Sequence, residues 1–387
     1  MIQIQDKSLC CGCSACASAC PKHCITMEAD HEGFLYPRVD AATCVECGLC
    51  EKVCHELHPQ PAREPLQVLA AINKDESIRL KSSSGGIFYL LAEKVIREGG
   101  VVFGARFDAD WQVVIDYTET LSGVEAFMGS KYVQARMDLA YTHARQFLKE
   151  GRKVLFSGTP CQIAGLHQYL RKEYENLLTV DFICHGTPSP KVWGMYLDTL
   201  VKDRSQVQWI QFRNKQNGWK NYSMKIQYQA NGQRMELAIP SYQSPYMKAF
   251  LQDITLRPSC YQCQAKCGSS RSDLTIADFW GIHTLIPSMD DDKGTGLVLL
   301  HSERGSSLVG GLDMQTQTCS YSEIVCLNPS CVSSAREHPK RSLFFKYLDQ
   351  KGILKSIDDC TRPSLKDRGL VFIQRVKRYV YRRLIGR

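Results

Sequence analysis

CCGCSACASACP, residues 10–21, places four cysteines at Cys10, Cys13, Cys16 and Cys20 with Pro21 behind the last, and this spacing decides the N-terminal fold. CVECGLCEKVCH, residues 44–55, repeats it at Cys44, Cys47, Cys50 and Cys54, each 34 residues after its counterpart. Three closely spaced thiolates wrap one [4Fe-4S] cube, while Gly12, Ala15 and Gly48 keep the backbone near the sulfides. In this motif the fourth cysteine of each run ligates the other cube. The expected sets are therefore Cys10, Cys13, Cys16 and Cys54 for one cluster, and Cys44, Cys47, Cys50 and Cys20 for the second. Each fourth cysteine is expected to begin a helix. Paired CxxC runs also hold zinc, but zinc takes its four ligands as two pairs, whereas a triple with a distant fourth, twice over, suits two cubanes. His55 stands where a second proline is expected, at a turn and not at a ligand. Cys11 and Cys24 fall outside the pattern and read as buried small side chains.

Between the runs, ITMEADHEGFLYPRVD alternates apolar and polar residues about His31-Glu32-Gly33, a small β-hairpin. The stretch HPQPAREP (58–65) carries three prolines and no apolar period, so it reads as a linker. Beyond it strand and helix patterns alternate: LQVLAAI, SSGGIFYLLAEKVIREGG, VVFGARF, MDLAYTHARQFLKEG, KVLFSGTP, IAGLHQYLRK and LLTVDFIC. The fold class expected is an α+β ferredoxin-like module followed by an α/β domain with a mixed sheet. The domains are 1–57, a linker at 58–65, a large domain at 66–341 and a C-terminal extension at 342–387.

With 387 residues, the chain is too long for a ferredoxin module alone. No stretch approaches the ~20 apolar residues of a membrane span, and MIQIQDKSLC has neither the basic start nor the apolar core of a secretory signal. Reduced, metal-ligating thiols and a cytoplasmic location are the expectation for its 19 cysteines. The formal charge is +8 with neutral cysteines, and two clusters at about −2 each bring it to roughly +4. The excess lies largely in RVKRYVYRRLIGR, Arg375 to Arg387, with no base-stacking motif, so nucleic acid is not an expected partner. Leu370, Ile373, Val376, Val380 and Leu384 recur at helical spacing in that tail. Such a helix suits peripheral contact with an anionic membrane or a partner, or ordinary one-sided packing.

Ser83, Ser84, Gly85 and Gly86 open a helix, as do Gly158, Thr159 and Pro160. Both loops suit phosphate through hydroxyls and free N–H groups, and both equally suit plain helix capping. SSSGGIF (82–88), GSKYVQ (129–134), GTPCQIAGL (158–166), FICHGTPSP (182–190) and CYQC…SDLTIADFWG (260–281), in this order, resemble the coenzyme F-420 hydrogenase/dehydrogenase beta-subunit family. The resemblance implies FAD, iron–sulfur clusters, and hydride exchange with coenzyme F-420 or another organic substrate. It places FAD contacts at Ser83, Ser84, Gly85, Gly86, Gly129, Ser130, Lys131, Tyr132, Gly158, Thr159, Pro160 and Gln162. Lys131 would neutralise pyrophosphate, and Thr159 or Gln162 would bond a flavin edge.

The resemblance also implies a third [4Fe-4S] cluster at Cys161, Cys184, Cys260 and Cys263, with Cys267 in reserve. Cys161 equally suits a reactive thiol, and Cys260 with Cys263 a zinc pair. Asp278 to Gly281 either wall the site or pack the core, and His185 is a candidate proton shuttle. Cys319, Cys326, Cys331 and Cys360 have no metal spacing. The expected function is an iron–sulfur flavoprotein oxidoreductase, with a small-molecule redox substrate and an electron-donor or acceptor protein as partners. The alternatives are a non-catalytic electron-transfer subunit and a redox enzyme of bacterial surface-polysaccharide biosynthesis. No acid–base pair stands out, and either direction of electron flow suits the residues.

Overall fold

A computed structural model describes residues 1–362. Two strands, β1 (Ile25–Ala29) and β2 (Leu35–Val39), form the N-terminal hairpin. The large domain adds β3 (Gln67–Asn73), β4 (Val101–Phe107), β5 (Val113–Thr118), β6 (Val154–Ser157) and β7 (Leu177–Phe182). Then come β8 (Val207–Asn214), β9 (Ser223–Ala230) and β10 (Gln233–Pro240), followed by β11 (Leu274–Asp278), β12 (Gly296–Leu300) and β13 (Met314–Thr318).

Eight strands make one mixed sheet in the order β13-β3-β12-β11-β7-β6-β4-β5. Its centre, β11-β7-β6-β4, is parallel. The outer pairings are antiparallel. The apolar runs VVF and VLF are covered on both faces, as parallel strands require. Val101, Phe103, Val154 and Phe156 meet the helices Ala140–Lys149 and Pro160–Leu170 on one face. Val102 and Leu155 meet the helix Ile87–Arg97 on the other.

A second sheet, β10-β9-β8, packs with the helices Pro190–Leu200 and Pro245–Leu251. Phe34 and Tyr36 of the N-terminal hairpin are buried in that same core. Burial of a large apolar side chain of this kind contributes about 1.5–3 kcal/mol, so the N-terminal module is seated on the large domain and not merely tethered to it. The linker has no regular structure, yet Arg63 N donates to Cys267 O at 2.8 Å and pins it.

Two differences from the sequence reading concern the elements. The fourth cysteines do not begin helices: the short helices Ala15–Ala19 and Leu49–Lys52 precede Cys20 and Cys54. Pro21 disfavours a helical residue before it, and Cys20 is accordingly extended at φ −68°, ψ 114°. The boundary at 341 meets the first residue of the helix Arg341–Lys351, whose Phe344 and Phe345 join the core around Trp193. The basic helix expected after Arg368 lies outside the described residues. Among the described residues no helix is long and apolar enough to cross a membrane.

Candidate functional site: two cysteine cavities, a thiol group and an aromatic edge

The cysteines of the two runs gather about two cavities. Cys10, Cys13, Cys16 and Cys54 line one. Cys20, Cys44, Cys47 and Cys50 line the other. Each cavity thus draws three thiols from one run and the fourth from the other. Gly12 and Gly48 stand at φ 73° and 69°, and a Cβ on Gly12 would lie 2.8 Å from Arg257 Nη1. Four soft sulfur donors around an apolar lining suit an iron–sulfur cube.

The cavities differ in surroundings. The first is covered by the large domain, whereas Cys47 of the second is exposed beside Val45, which is 57% exposed. The two cysteines outside the motif are buried: Cys24 Sγ lies 3.4 Å from Cys20 Sγ, and Cys11 Sγ lies 3.0 Å from His55 Nε2. His55 is itself buried, beside the first cavity.

The helix Pro160–Leu170 meets the N-terminal module directly. Pro160 at its first position and a reciprocal Thr159–Gln162 capping box fix where it starts, which sets Cys161 in the first turn. One turn on, a Cβ at Gly165 would lie 2.9 Å from Cys13 Sγ, so this face of the helix is packed against a first-cavity cysteine. Hydrogen bonding with Cys11 draws the Cys161 thiol down to about 7.

Cys184 follows β7, Cys260 lies within the turn Pro258–Gln262 and Cys263 follows it. Burial raises the Cys184 thiol, and Cys260, Cys161 and Cys263 add to it. Burial likewise pushes Cys263 up to about 12, with Cys161 the next contributor. Cys161, Cys260 and Cys263 thus all act on the charge of Cys184, and Cys161 is hydrogen-bonded to Cys11 in the lining of the first cavity. Thr187 N donates to Cys260 Sγ at 3.4 Å, the kind of N–H contact that steadies a ligating thiolate. The reserve residue does not join them: Cys267 Sγ donates to Val332 O at 3.7 Å. His185 pairs with Asp253 instead of pointing to any thiol partner of its own.

Arg257 ties these groups together and carries no signal in the sequence. It is completely buried. Its Nε donates to Cys10 O at 2.7 Å, Nη1 to Gln134 Oε1 at 3.0 Å and Nη2 to Leu35 O at 2.9 Å. The guanidinium lies 4.2 Å from the Tyr36 ring centroid. Burial works against its charge, but Cys10, Tyr36, Cys11 and Cys260 hold its pKa above the ordinary value.

The proposed flavin contacts lie along the carboxyl edge of the sheet, where ligands of α/β folds bind. Ser83 Oγ accepts from Ser130 N at 2.6 Å and Ser130 Oγ at 2.9 Å, joining two of the loops. Gly85 is required by packing, since a Cβ there would lie 2.4 Å from Ala71 O. Gly86 at φ 82° turns the chain into its helix. Lys131 Nζ donates to Ala126 O at 2.8 Å and Met128 O at 2.9 Å, and burial holds the amine down to about 7. Lys131, Thr159 and Gln162 thus spend their polar groups on the fold itself.

Sequence reasoning missed the stronger cation at this edge. Arg213, at the end of β8, is 1% exposed and pairs through Nη1 with Asp278, while its Nε and Nη2 have no partner among the described residues. Trp219 Nε1 also donates to Asp278, at 3.0 Å, and the Trp219 and Trp280 ring centroids lie 4.5 Å apart. Lys215 Nζ donates to Arg79 O at 2.7 Å, Ser84 O at 2.9 Å and Lys293 O at 2.6 Å, and burial draws its amine down to about 7, so like Lys131 it serves the fold. A buried guanidinium with two orphaned donors and an aromatic pair suit a ligand that is both anionic and planar. The Asp278–Gly281 stretch was visible in sequence, but the strand FRN around Arg213 follows no motif.

Residues 9–56 match the family model of the 4Fe-4S dicluster domain. Residues 151–320 match the family model for the C terminus of the coenzyme F420 hydrogenase/dehydrogenase beta subunit. An uncharacterized protein of Methanocaldococcus jannaschii is 24% identical over 207 residues, 45% of this chain and 56% of that protein, so the match spans about half the relative's length. A chain of the F420-reducing [NiFe] hydrogenase complex from Methanosarcina barkeri is similar over 77% of this chain and 92% of its own, with 16% identity and a TM-score of 0.45.

Proposed function

We infer that the chain is an iron–sulfur redox protein related to the coenzyme F420 hydrogenase/dehydrogenase beta subunit, on the match of residues 9–56 to a 4Fe-4S dicluster domain and of residues 151–320 to that subunit's C terminus. It acts as an oxidoreductase that passes electrons between three [4Fe-4S] sites and FAD, and exchanges a hydride with coenzyme F-420 or another organic substrate. The observation that supports this reading is the packing of the helix that carries Cys161 against the first-cavity Cys13 at Gly165, with Cys184, Cys260 and Cys263 near enough to Cys161 to act on one another's charge.

Each group of residues has a part. Cys20, Cys44, Cys47 and Cys50, at the exposed cavity, hold the cluster that meets a protein electron donor or acceptor, with Val45 and Glu46 on the rim. Cys10, Cys13, Cys16 and Cys54 hold the inner one. The serine loop and Arg213 hold the anionic parts of FAD, and Trp219 with Trp280 excludes water beside it. When bound, flavin supplies the conversion between one-electron and two-electron chemistry. The chain's own contribution is positioning and charge.

Anaerobic purification with iron and flavin quantitation tests this. The expected content is about twelve irons and one flavin per chain, with flavin retention weakened in Arg213→Leu and in Ser130→Ala. About eight irons, or flavin bound equally by both variants, overturns the corresponding part of the reading. Gly85→Val is no test of flavin binding, because its side chain meets the backbone of Ala71 and Gly296.

A further inference from the structure

We propose that Arg257 is an electrostatic bridge between two cluster sites, the one at Cys10, Cys13, Cys16 and Cys54 and the one at Cys161, Cys184, Cys260 and Cys263. It makes these two direct electron partners and raises both potentials relative to the exposed site at Cys44. The proposal rests on the iron–sulfur part of the reading above and adds a role for a residue that ligates nothing.

Arg257 is a completely buried cation whose fork donates to no carboxylate among the described residues. Its acceptors are Cys10 O, Gln134 Oε1, Leu35 O and, at 3.6 Å, Cys10 Sγ. A guanidinium removed from water without an anion costs several kcal/mol. The anions that act on it are the thiolate sites on either side and, without a hydrogen bond, the Glu56 carboxylate. Its side chain faces the first site, while its backbone belongs to the third: Cys260 N donates to Arg257 O at 2.9 Å, three residues on. Cys260 and Cys10 both act on its charge.

Gln134 completes the arrangement. It accepts from Arg257 and donates through Nε2 to Cys11 O at 2.9 Å, steadying the segment that lies between the two sites. The exposed site has a different neighbourhood. Its charged neighbours are the exposed Lys22 and Glu46 and the amino terminus, which pairs with Glu51 at 3.4 Å. Solvent screens these, whereas Arg257 acts through a medium of low dielectric.

A [4Fe-4S] site with four thiolates becomes more negative by one charge on reduction, so a fixed buried cation favours its reduced form. The transfer itself is simple to balance. One electron leaves the inner site, which is oxidised by one, and enters the Cys161 site, which is reduced by one. No proton moves and no bond changes. The electron is replaced at the exposed site by a low-potential one-electron reductant, dithionite in the experiment.

The test is a potentiometric titration followed by electron paramagnetic resonance, on the anaerobically purified full chain and on Arg257→Gln and Arg257→Lys. Arg257→Gln is expected to lower the equilibrium constant for reduction at the inner and Cys161 sites about tenfold, which is about 59 mV for one electron, and to leave the exposed site unchanged. Arg257→Lys, keeping the charge, is expected to stay near wild type. A Gln variant with no shift, or with equal shifts at all sites, overturns the proposal.

A second measurement needs no variant: the fully reduced wild type is expected to show spin–spin broadening between the inner and Cys161 signals. Its absence overturns direct partnership even if neither variant folds. Iron content separates two failures. About eight irons per chain removes one end of the bridge, and with it the reading above; about twelve irons without a selective shift overturns the role of Arg257 alone.

Discussion

Glu32 and Arg341 form a buried bidentate ion pair across 309 residues of chain, with Arg341 Nη1 donating to Glu32 Oε1 at 3.0 Å and Nη2 to Oε2. Both residues are more than nine-tenths buried. Arg341 Nε and Nη2 also donate to Leu256 O, at 3.1 and 2.9 Å, next to Arg257. The hairpin turn of the dicluster domain is thus locked to the last packed helices.

Removing one partner leaves a buried charge, which costs about 3–5 kcal/mol. Glu32→Ala is therefore expected to lower the thermal midpoint and to release iron from the chain on heating earlier than wild type. Replacing both residues together, as Glu32→Gln with Arg341→Met, is expected to restore part of the loss. Calorimetry of the three proteins checks this, and a single variant as stable as wild type would contradict it.

Gly165 packs the large domain directly against the first-cavity Cys13. Gly165→Ala places a methyl group 2.8 Å from Tyr141 Oη and 2.9 Å from Cys13 Sγ. The overpacking is expected to cost about 1–3 kcal/mol. Part of that cost falls on the seating of the dicluster domain, so limited proteolysis should cut between the two domains faster while the sheet domain stays intact.

Iron removal should act unevenly. The small core at the N-terminus consists of Ile2, Ile25 and four cysteines, Cys16, Cys20, Cys24 and Cys50. So little apolar surface cannot hold a module without its metal. Chelation under reducing conditions is expected to expose the amides of residues 1–57 to hydrogen exchange, while β4, β6 and β7 stay protected. Uniform exchange across both regions would argue against metal-dependent folding of the module.

Asp181 gives a pH dependence of defined sign. It is 2% exposed, it accepts from Ser270 and Thr275, and burial pushes its carboxyl up to about 6. A raised carboxyl favours the folded state in its protonated form. That contribution is complete below the unfolded value near 3.8 and is lost as pH rises through about 6. Its size is about 2–3 kcal/mol, from the separation of the two values. Asp181→Asn is therefore expected to be more stable than wild type at pH 7.5 by up to that amount, with the gain shrinking toward pH 5. His301, held down to about 4 by burial, stays neutral through this range. Thermal melts at the two pH values decide the matter.

What the sequence disclosed follows from how local each signal is. The cysteine spacing repeats within a dozen residues, and the hairpin and the strands VVFGARF, KVLFSGTP and LLTVDFIC carry short apolar periods, so all of these were legible. The grouping of Cys161 with Cys184, Cys260 and Cys263 came through the family resemblance and not through spacing, because three different loops supply it. Arg257 and Arg213 were invisible, since a lone arginine beside a proline or in a strand has no pattern. Lys131 was legible as a cation but not as one that closes its own loop on Ala126 and Met128. The sheet β8–β10 and the helices after Arg341 went unread because they are ordered by packing on Trp193 and Tyr246, contacts distant in sequence.

Arg257 also bears on the order of biosynthesis. All eight motif cysteines of the dicluster domain leave the ribosome long before the residue that covers Cys10 and caps Leu35 exists. The inner site is therefore open to iron delivery while the chain is still growing, and closes only when the segment around Pro258 has folded. A truncated chain ending before that segment should accept iron at the first cavity and surrender it to chelator more readily than the whole protein does.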